Sequence, residues 1–305
     1  MAEEAIFREE AYAKVNLFLD VIRKREDGYH DIGTLFQTID LHDTLEARIR
    51  RDGVLALECD RPATERPEQD LVYRAAAALR DRARSAGAEG ADALGADLRL
   101  TKRLPSGAGL GGGSADAAAA LRLLNRAWGL GFGSAELEET GAALGADVPF
   151  LVRGGTALAS GIGDRLERGV PAPADCAILV ATPLASVPTA KAYAGVAPAG
   201  AGRWNDFSAL WRKGGLSAAM TGHLLYNAFE KGVCAQYPEI AEMRAELAET
   251  GPLGTLLSGS GASLFALYPD EEAARRALEG LRCERRFGAV ARFLPETPLD
   301  GSGIV

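Results

Sequence analysis

The stretch Leu104-Pro-Ser-Gly-Ala-Gly-Leu-Gly-Gly-Gly-Ser-Ala-Asp116 decides how the rest of the chain is read. It joins two segments of opposite character. Asp97 to Leu104 alternates apolar and polar residues, which predicts a strand. From Asp116 to Trp128 the residues Ala117, Leu121, Leu124 and Trp128 recur at helical spacing, which predicts a helix. Glycines between them allow positive φ and let backbone N–H groups approach a ligand closely. The following helix turns its free N–H groups and the positive end of its dipole toward the same place. Strand, glycine loop and helix together predict a phosphate site, with Ser114 placed to cap the helix and to offer its hydroxyl.

Two better-known glycine patterns do not fit. Gly107, Gly109 and Gly112 satisfy G-x-G-x-x-G, but a dinucleotide fold also needs an acidic residue about 20 positions on, at the end of a second strand. Here Phe132 to Glu136 leads into a helix instead. A P-loop needs lysine before its serine, and Gly113 precedes Ser114.

Outward from the loop, the chain alternates strands and helices. Ala11, Ala13, Val15, Leu17, Leu19 and Val21 are apolar at every second position, so a strand is expected there with Lys14 and Asn16 on one accessible face. Asp27-Gly28 signals a turn, followed by expected strands over Ile32 to Leu41, about Leu45 to Ile49, and Val54 to Cys59. Helices are expected over Leu71 to Ala86 and over Ala135 to Leu144, the latter capped by Ser134. Gly87 to Gly95 reads as a loop. Beyond Pro171-Ala-Pro173, strands are expected at Cys176 to Ala181, Ser263 to Tyr268 and Ala289 to Leu294. Helices are expected at Ser217 to Lys231, Pro238 to Thr250 and Glu271 to Leu281. The fold class is α+β, and 305 residues allow two domains, drawn at 1–165 and 166–305.

Composition narrows the partners. The net charge of −8 speaks against nucleic acid, which calls for a basic footprint, yet a cleft can hold a local field of opposite sign. The acidic start Met1 to Glu10 is unlike a signal peptide, and no run reaches the roughly 18 apolar residues of a membrane helix. Cys59, Cys176, Cys234 and Cys283 are scattered, without the spacing of a zinc site, so no metal-ligand set is expected. The expectation is a cytoplasmic protein, a monomer or weak homodimer, with no membrane or nucleic-acid partner.

At this point the residues carry a resemblance. The loop resembles the phosphate-binding motif of the galactokinase, homoserine kinase, mevalonate kinase and phosphomevalonate kinase superfamily. Ala13-Lys14-Val15-Asn16-Leu17 resembles that superfamily's first motif, and Leu257-Ser-Gly-Ser-Gly-Ala262 its C-terminal glycine motif. Arg25-Glu-Asp-Gly-Tyr-His30, Gly145-Ala-Asp-Val-Pro-Phe150 and Ser186-Val-Pro-Thr189 resemble the branch whose acceptor is a cytidine-diphosphate-linked methylerythritol. The likeness runs from about Ala11 to Tyr268.

The resemblance implies a two-domain kinase with ATP and Mg2+ in the cleft between the halves. It places ATP against Pro105, Ser106, Gly107, Ala108, Gly109, Leu110, Gly111, Gly112, Gly113, Ser114 and Ala115. Asp147 is implied as the base that takes the acceptor proton, with Lys14 as its partner. Asn16, Tyr29, His30, Thr189, Tyr193, Gly259, Ser260 and Gly261 are implied at the acceptor. Tyr29 and His30 resemble a cytosine-recognising pair, which an enzyme acting on mevalonate, homoserine or a sugar would not use. A silent ligand sensor on the same fold would have no use for Asp147. The family often carries two consecutive serines after the glycines; Ser114-Ala115 offers magnesium one hydroxyl fewer. His42 and His223 have no such context and read as structural.

Overall fold

The computed structural model describes residues 5–296. Met1 to Glu4, the first part of the acidic start, lie outside the described residues. The chain opens with β1 (Ile6–Lys24) and β2 (His30–Arg50), joined by a tight turn. Gly28 takes a φ of 87° there, and the Asp27 carboxylate accepts the Tyr29 N–H. Then follow β3 (Leu55–Cys59), α1 (Leu71–Ser85), β4 (Gly95–Thr101), α2 (Gly112–Ala127), α3 (Ser134–Ala142) and α4 (Val148–Arg153). Next come β5 (Thr156–Ser160), β6 (Arg165–Glu167), β7 (Ala177–Pro183), α5 (Thr189–Ala194), α6 (Gly202–Lys213) and α7 (Ala218–Leu224). The chain ends through β8 (Tyr226–Asn227), α8 (Glu230–Gln236), α9 (Pro238–Glu249), β9 (Gly254–Leu257), β10 (Leu264–Tyr268), α10 (Glu271–Gly280) and β11 (Arg285–Arg292).

Two sheets organise these elements. A seven-stranded sheet runs β3-β4-β2-β1-β8, with β5 also on β2 and β6 on β5. A four-stranded antiparallel sheet runs β11-β7-β10-β9. Three apolar clusters follow from this layering. One lies under α1 to α4 on the larger sheet, and one lies between the smaller sheet and α8 to α10. The third fills the space between the sheets, where Val15, Leu17, Leu35 and Ile39 meet Ile178, Val180, Phe265 and Trp211.

Several expectations are corrected. The separate strands at Ile32 to Leu41 and Leu45 to Ile49 are one strand, β2, because β1 pairs along nearly its whole length while β5 and β4 divide its other edge. The alternation of β1 breaks at a bulge between Asn16 and Phe18, so that Leu17 and Phe18 both enter the inter-sheet core and Leu19 and Val21 enter the second cluster. β1 is buried on both faces there, and Lys14 is only 4% exposed. The expected helix at Ser217 to Lys231 is interrupted by β8, which pairs in parallel with Phe18 and Leu19 of β1. Helix α2 starts at Gly112 with Gly111 as N-cap, so Ser114 sits inside the first turn. Likewise Gly133 caps α3, not Ser134. α4, α5, β5, β6 and β9 are too short to carry a periodic signal; α6 was missed although Trp204, Phe207 and Trp211 recur at helical spacing.

Candidate functional site

Glycine at three positions lets the loop between β4 and α2 turn repeatedly: Gly107, Gly109 and Gly111 have φ of 62°, 80° and 70°. The loop is pinned on both sides by its own backbone. Lys14 of β1 donates its N–H to the Leu110 carbonyl at 3.0 Å, and Ser263 donates to the Ala108 carbonyl at 3.0 Å. Ser258 Oγ donates to the Gly109 carbonyl at 2.9 Å. The second glycine loop, Ser258 to Ala262, is thereby seated against the first. Asn227 secures it from behind, donating to the Leu257 and Gly259 carbonyls at 2.7 and 2.8 Å.

A cavity of about 560 Å³ opens between the loops. Lys14, Asn16, Gly107, Gly109, Gly111, Ser114, Asp147, Thr189, Tyr193, Gly259 and Ser260 line it. Lys14 Nζ lies 3.5 Å from Asp147 Oδ2 and donates to Asn16 Oδ1 at 2.7 Å. Asn16 in turn donates to Thr34 Oγ1 at 2.8 Å, which donates to the Phe18 carbonyl at 2.6 Å. This chain of bonds fixes the ammonium, and the Phe36 ring lies 5.3 Å beneath it. Asp147 occupies the N-cap of α4 but makes no capping bond. Its carboxylate is 31% exposed and faces the cavity, so it is free to act on a ligand.

A second cavity of about 650 Å³ adjoins the first, sharing Thr189 and Tyr193. Tyr29 and His30 line it. The His30 ring stacks on Tyr193 with centroids 4.7 Å apart, and Tyr193 meets Phe229 edge-on at 4.8 Å. Tyr29 is 62% exposed at the rim. Thr189 and Ser260 close the boundary, their hydroxyls 3.2 Å apart.

A third, smaller cavity of about 190 Å³ lies on the far side of the glycine loop, reached through Ser106, Gly107 and Gly113. Lys102 and Asp116 form its inner wall. Lys102 bridges the buried carboxylates of Asp43 and Asp116, while Asp43 also accepts the N–H groups of Arg103 and Leu104. The triad ties β2, the end of β4 and the first turns of α2 together around the loop. Burial pushes the Asp116 carboxyl up to about 8; the Lys102 ammonium opposes the rise and the Asp43 carboxylate adds to it.

Of the sequence-predicted residues, Pro105, Ala108, Leu110, Gly112, Ala115 and Gly261 are not on the walls of these cavities. Ala108, Leu110 and Ala115 are buried, and the first two serve the loop through their carbonyls. Sequence reasoning missed Phe36, Ile162 and Phe229 in the first cavity, Lys24 and Val196 in the second, and Lys102 and Asp116 in the third. Only Lys102 carried a usable signal, as one of the two adjacent cations Lys102-Arg103 where a strand runs into the glycine loop. Among the described residues no group of three His, Cys, Asp or Glu could hold a metal.

Two measurements probe this geometry. A Cβ on Gly109 would lie 2.0 Å from the Ser258 carbonyl oxygen, and φ there is +80°. Gly109→Ala is expected to destabilise the protein by about 1–3 kcal/mol in urea titration, since neither loop backbone can give way. For Asp116, a folded value above the unfolded 3.8 means that the native state holds the extra proton. Its contribution to stability is therefore full below about pH 4 and is lost as pH rises through about 8. Asp116→Asn is expected to flatten the fall in stability between those limits, read as urea midpoints across the range.

Comparison with known proteins identifies the family. Residues 70–155 match the family model described as GHMP kinases N terminal domain, and residues 209–285 match GHMP kinases C terminal. A 4-diphosphocytidyl-2-C-methyl-D-erythritol kinase of Pelotomaculum thermopropionicum is 45% identical over 87% of this chain and 90% of its own length. The enzyme of the same name from Symbiobacterium thermophilum is 40% identical over 93% of this chain and 99% of its own length. A crystal structure of 4-(cytidine 5'-diphospho)-2C-methyl-D-erythritol kinase superposes with a TM-score of 0.73 at 32% identity, covering 94% of this chain and 98% of that one. Homoserine kinase from Cytophaga hutchinsonii shares the fold, with a TM-score of 0.74 at 20% identity over 97% of this chain and 96% of that one. With two glycine loops closing on one cavity and relatives of this identity along nearly its whole length, the chain belongs to the 4-diphosphocytidyl-2-C-methyl-D-erythritol kinases, a family of GHMP kinases.

Proposed function

We propose that this chain transfers the γ-phosphoryl group of ATP to the 2-hydroxyl of 4-(cytidine 5'-diphospho)-2-C-methyl-D-erythritol, a step of the non-mevalonate isoprenoid route. The observation that carries the reading is the Lys14–Asp147 pair on the wall of a cavity walled by both glycine loops. Domains 1–165 and 166–305 would flank the cleft. ATP phosphates fit the positive N-terminal end of α2 and its glycine loop. The 190 Å³ cavity on the loop's other side suits the rest of the nucleotide. The acceptor's cytidine suits the 650 Å³ cavity, where His30 and Tyr193 offer a hydrogen-bonding edge and a stacking face.

Phosphoryl transfer asks the protein for positioning and charge stabilisation. The acceptor hydroxyl gives its proton to the Asp147 carboxylate as its oxygen bonds to the γ-phosphorus. The bond from that phosphorus to the β–γ bridging oxygen breaks, and ADP leaves with the electron pair. Lys14, 3.5 Å from Asp147, faces the transferring group and offers it positive charge. Mg2+ suits the donors present: it binds through phosphates and few protein oxygens, and the Ser114 hydroxyl lines the same cavity. Bound there, it would neutralise phosphate charge. Ala115, buried in α2, contributes no donor.

No helix among the described residues is long and apolar enough to cross a membrane. The reading includes a cytoplasmic setting, a monomer or weak homodimer, and no nucleic-acid partner, the last supported by the net charge of −8.

The test is ADP release with Mg-ATP and, separately, the cytidine alcohol, mevalonate, homoserine and galactose. Turnover is expected with the cytidine compound alone, and Asp147→Asn is expected to lower kcat by about 10²–10⁴-fold. Turnover with another alcohol would overturn the substrate; ATP binding without turnover in any well would point to a sensor. His30→Ala and Tyr193→Ala are each expected to raise KM for the cytidine substrate by roughly 5–200-fold, corresponding to about 1–3 kcal/mol of stacking, with KM for ATP unchanged.

A further inference from the structure

Helix α4 is only six residues long, yet it carries Asp147 at its N-cap. So short a helix has too few internal hydrogen bonds to hold its own position. Two arginines from outside hold it. Arg122 of α2 donates to the Leu151 carbonyl at 2.7 Å from within the core, where it also pairs with Glu9. Arg168, immediately after β6, grips the other side. Its Nη2 donates to the Pro149 and Phe150 carbonyls at 3.1 and 3.2 Å, and its Nη1 to the Gly154 carbonyl at 3.0 Å. The side chain is 11% exposed and is balanced by Glu138 of α3 at 2.9 Å and, at 3.9 Å, by Glu296.

The same guanidinium is linked to the other half of the pair through intervening rings. It lies over the Phe150 ring at 5.9 Å; Phe150 stacks on Phe36 at 4.8 Å; Lys14 Nζ rests over Phe36. Asp147 is thus reached through the backbone of α4, and Lys14 through two stacked rings. Arg168 lines none of the three cavities and has no route to a ligand.

We propose that Arg168 is a positioning residue for phosphoryl transfer, setting the separation and direction of the Lys14–Asp147 pair by clasping α4 from first turn to last. The proposal rests on Asp147 being the base. It accounts for why a cation is buried where a packing role would be met by an apolar side chain: the fork reaches three carbonyls and a carboxylate at once, and a single ammonium cannot.

The test is a double-mutant cycle on kcat and KM, with Arg168→Met, Arg168→Lys, Asp147→Asn and the doubles, each checked for its melting temperature. Arg168→Met is expected to lower kcat by about 10-fold or more, because small displacements of reacting groups are costly, with both KM values within about twofold. In the Asp147→Asn background the same change is expected to cost less than about twofold, since the group it positions is already gone. Arg168→Lys, which keeps the charge and loses the fork, is expected to fall between wild type and Arg168→Met; its cycle decides if the methionine variant does not fold. Unchanged kcat with a lowered melting temperature, or a loss that adds fully to that of Asp147→Asn, would overturn the proposal and leave the base intact. Full activity in Asp147→Asn alone would overturn the base itself, and the positioning role with it.

Discussion

The contact between the backbones of the two glycine loops is the constraint on which the site depends. The Gly109 carbonyl accepts the Ser258 hydroxyl, and there is no room for even a methyl group between Gly109 and the Ser258 carbonyl. Because one loop follows β4 in the larger sheet and the other follows β9 in the smaller, this seam fixes the distance between the sheets where the cavity opens. The inter-sheet cluster behind it supplies apolar burial, which is strong and undirected. The hydrogen bonds along the seam supply the direction.

On that frame the charges are arranged in two sets with different surroundings. Lys14 and Asp147 share a cavity wall, with one carboxylate edge open to a ligand. Lys102, Asp43 and Asp116 sit closed off beneath the loop, two carboxylates on one ammonium, with Asp116 pushed far above the ordinary range. In the proposed reaction the first set acts on the substrate hydroxyl. The second is a buried brace, and its worth lies in joining three backbone segments at the loop's base rather than in net electrostatic gain, since burying charges consumes most of their attraction.

Much of the site was legible in the chain because its chemistry is local. A glycine run between an alternating segment and a helical one announces an anion site wherever it lands. Lys14 and Asn16, two apart on a strand, had to share a face, and they hydrogen-bond to each other. The Asp27-Gly28 turn set the hairpin that carries Tyr29 and His30. Where the reading failed, a distant partner had intervened. The bulge at Leu17 reverses the alternation of β1 because the strand serves two cores. Parallel pairing with β1 breaks the helix expected from Ser217, and the cap moves from Ser114 to Gly111, where a φ of 70° suits glycine alone.

The sequence by itself determined the fold class and the strand–glycine loop–helix unit that we read as the phosphate cradle, because glycine geometry, helix dipoles and apolar periodicity act over a few residues. Tertiary structure decided which residues of the glycine loop face the cavity, and that His30 stacks on a tyrosine far along the chain. It also brought Arg168 to the carbonyls of α4. Those arrangements depend on directional bonds between segments distant in the chain, and no local pattern of residue types encodes which donor meets which acceptor.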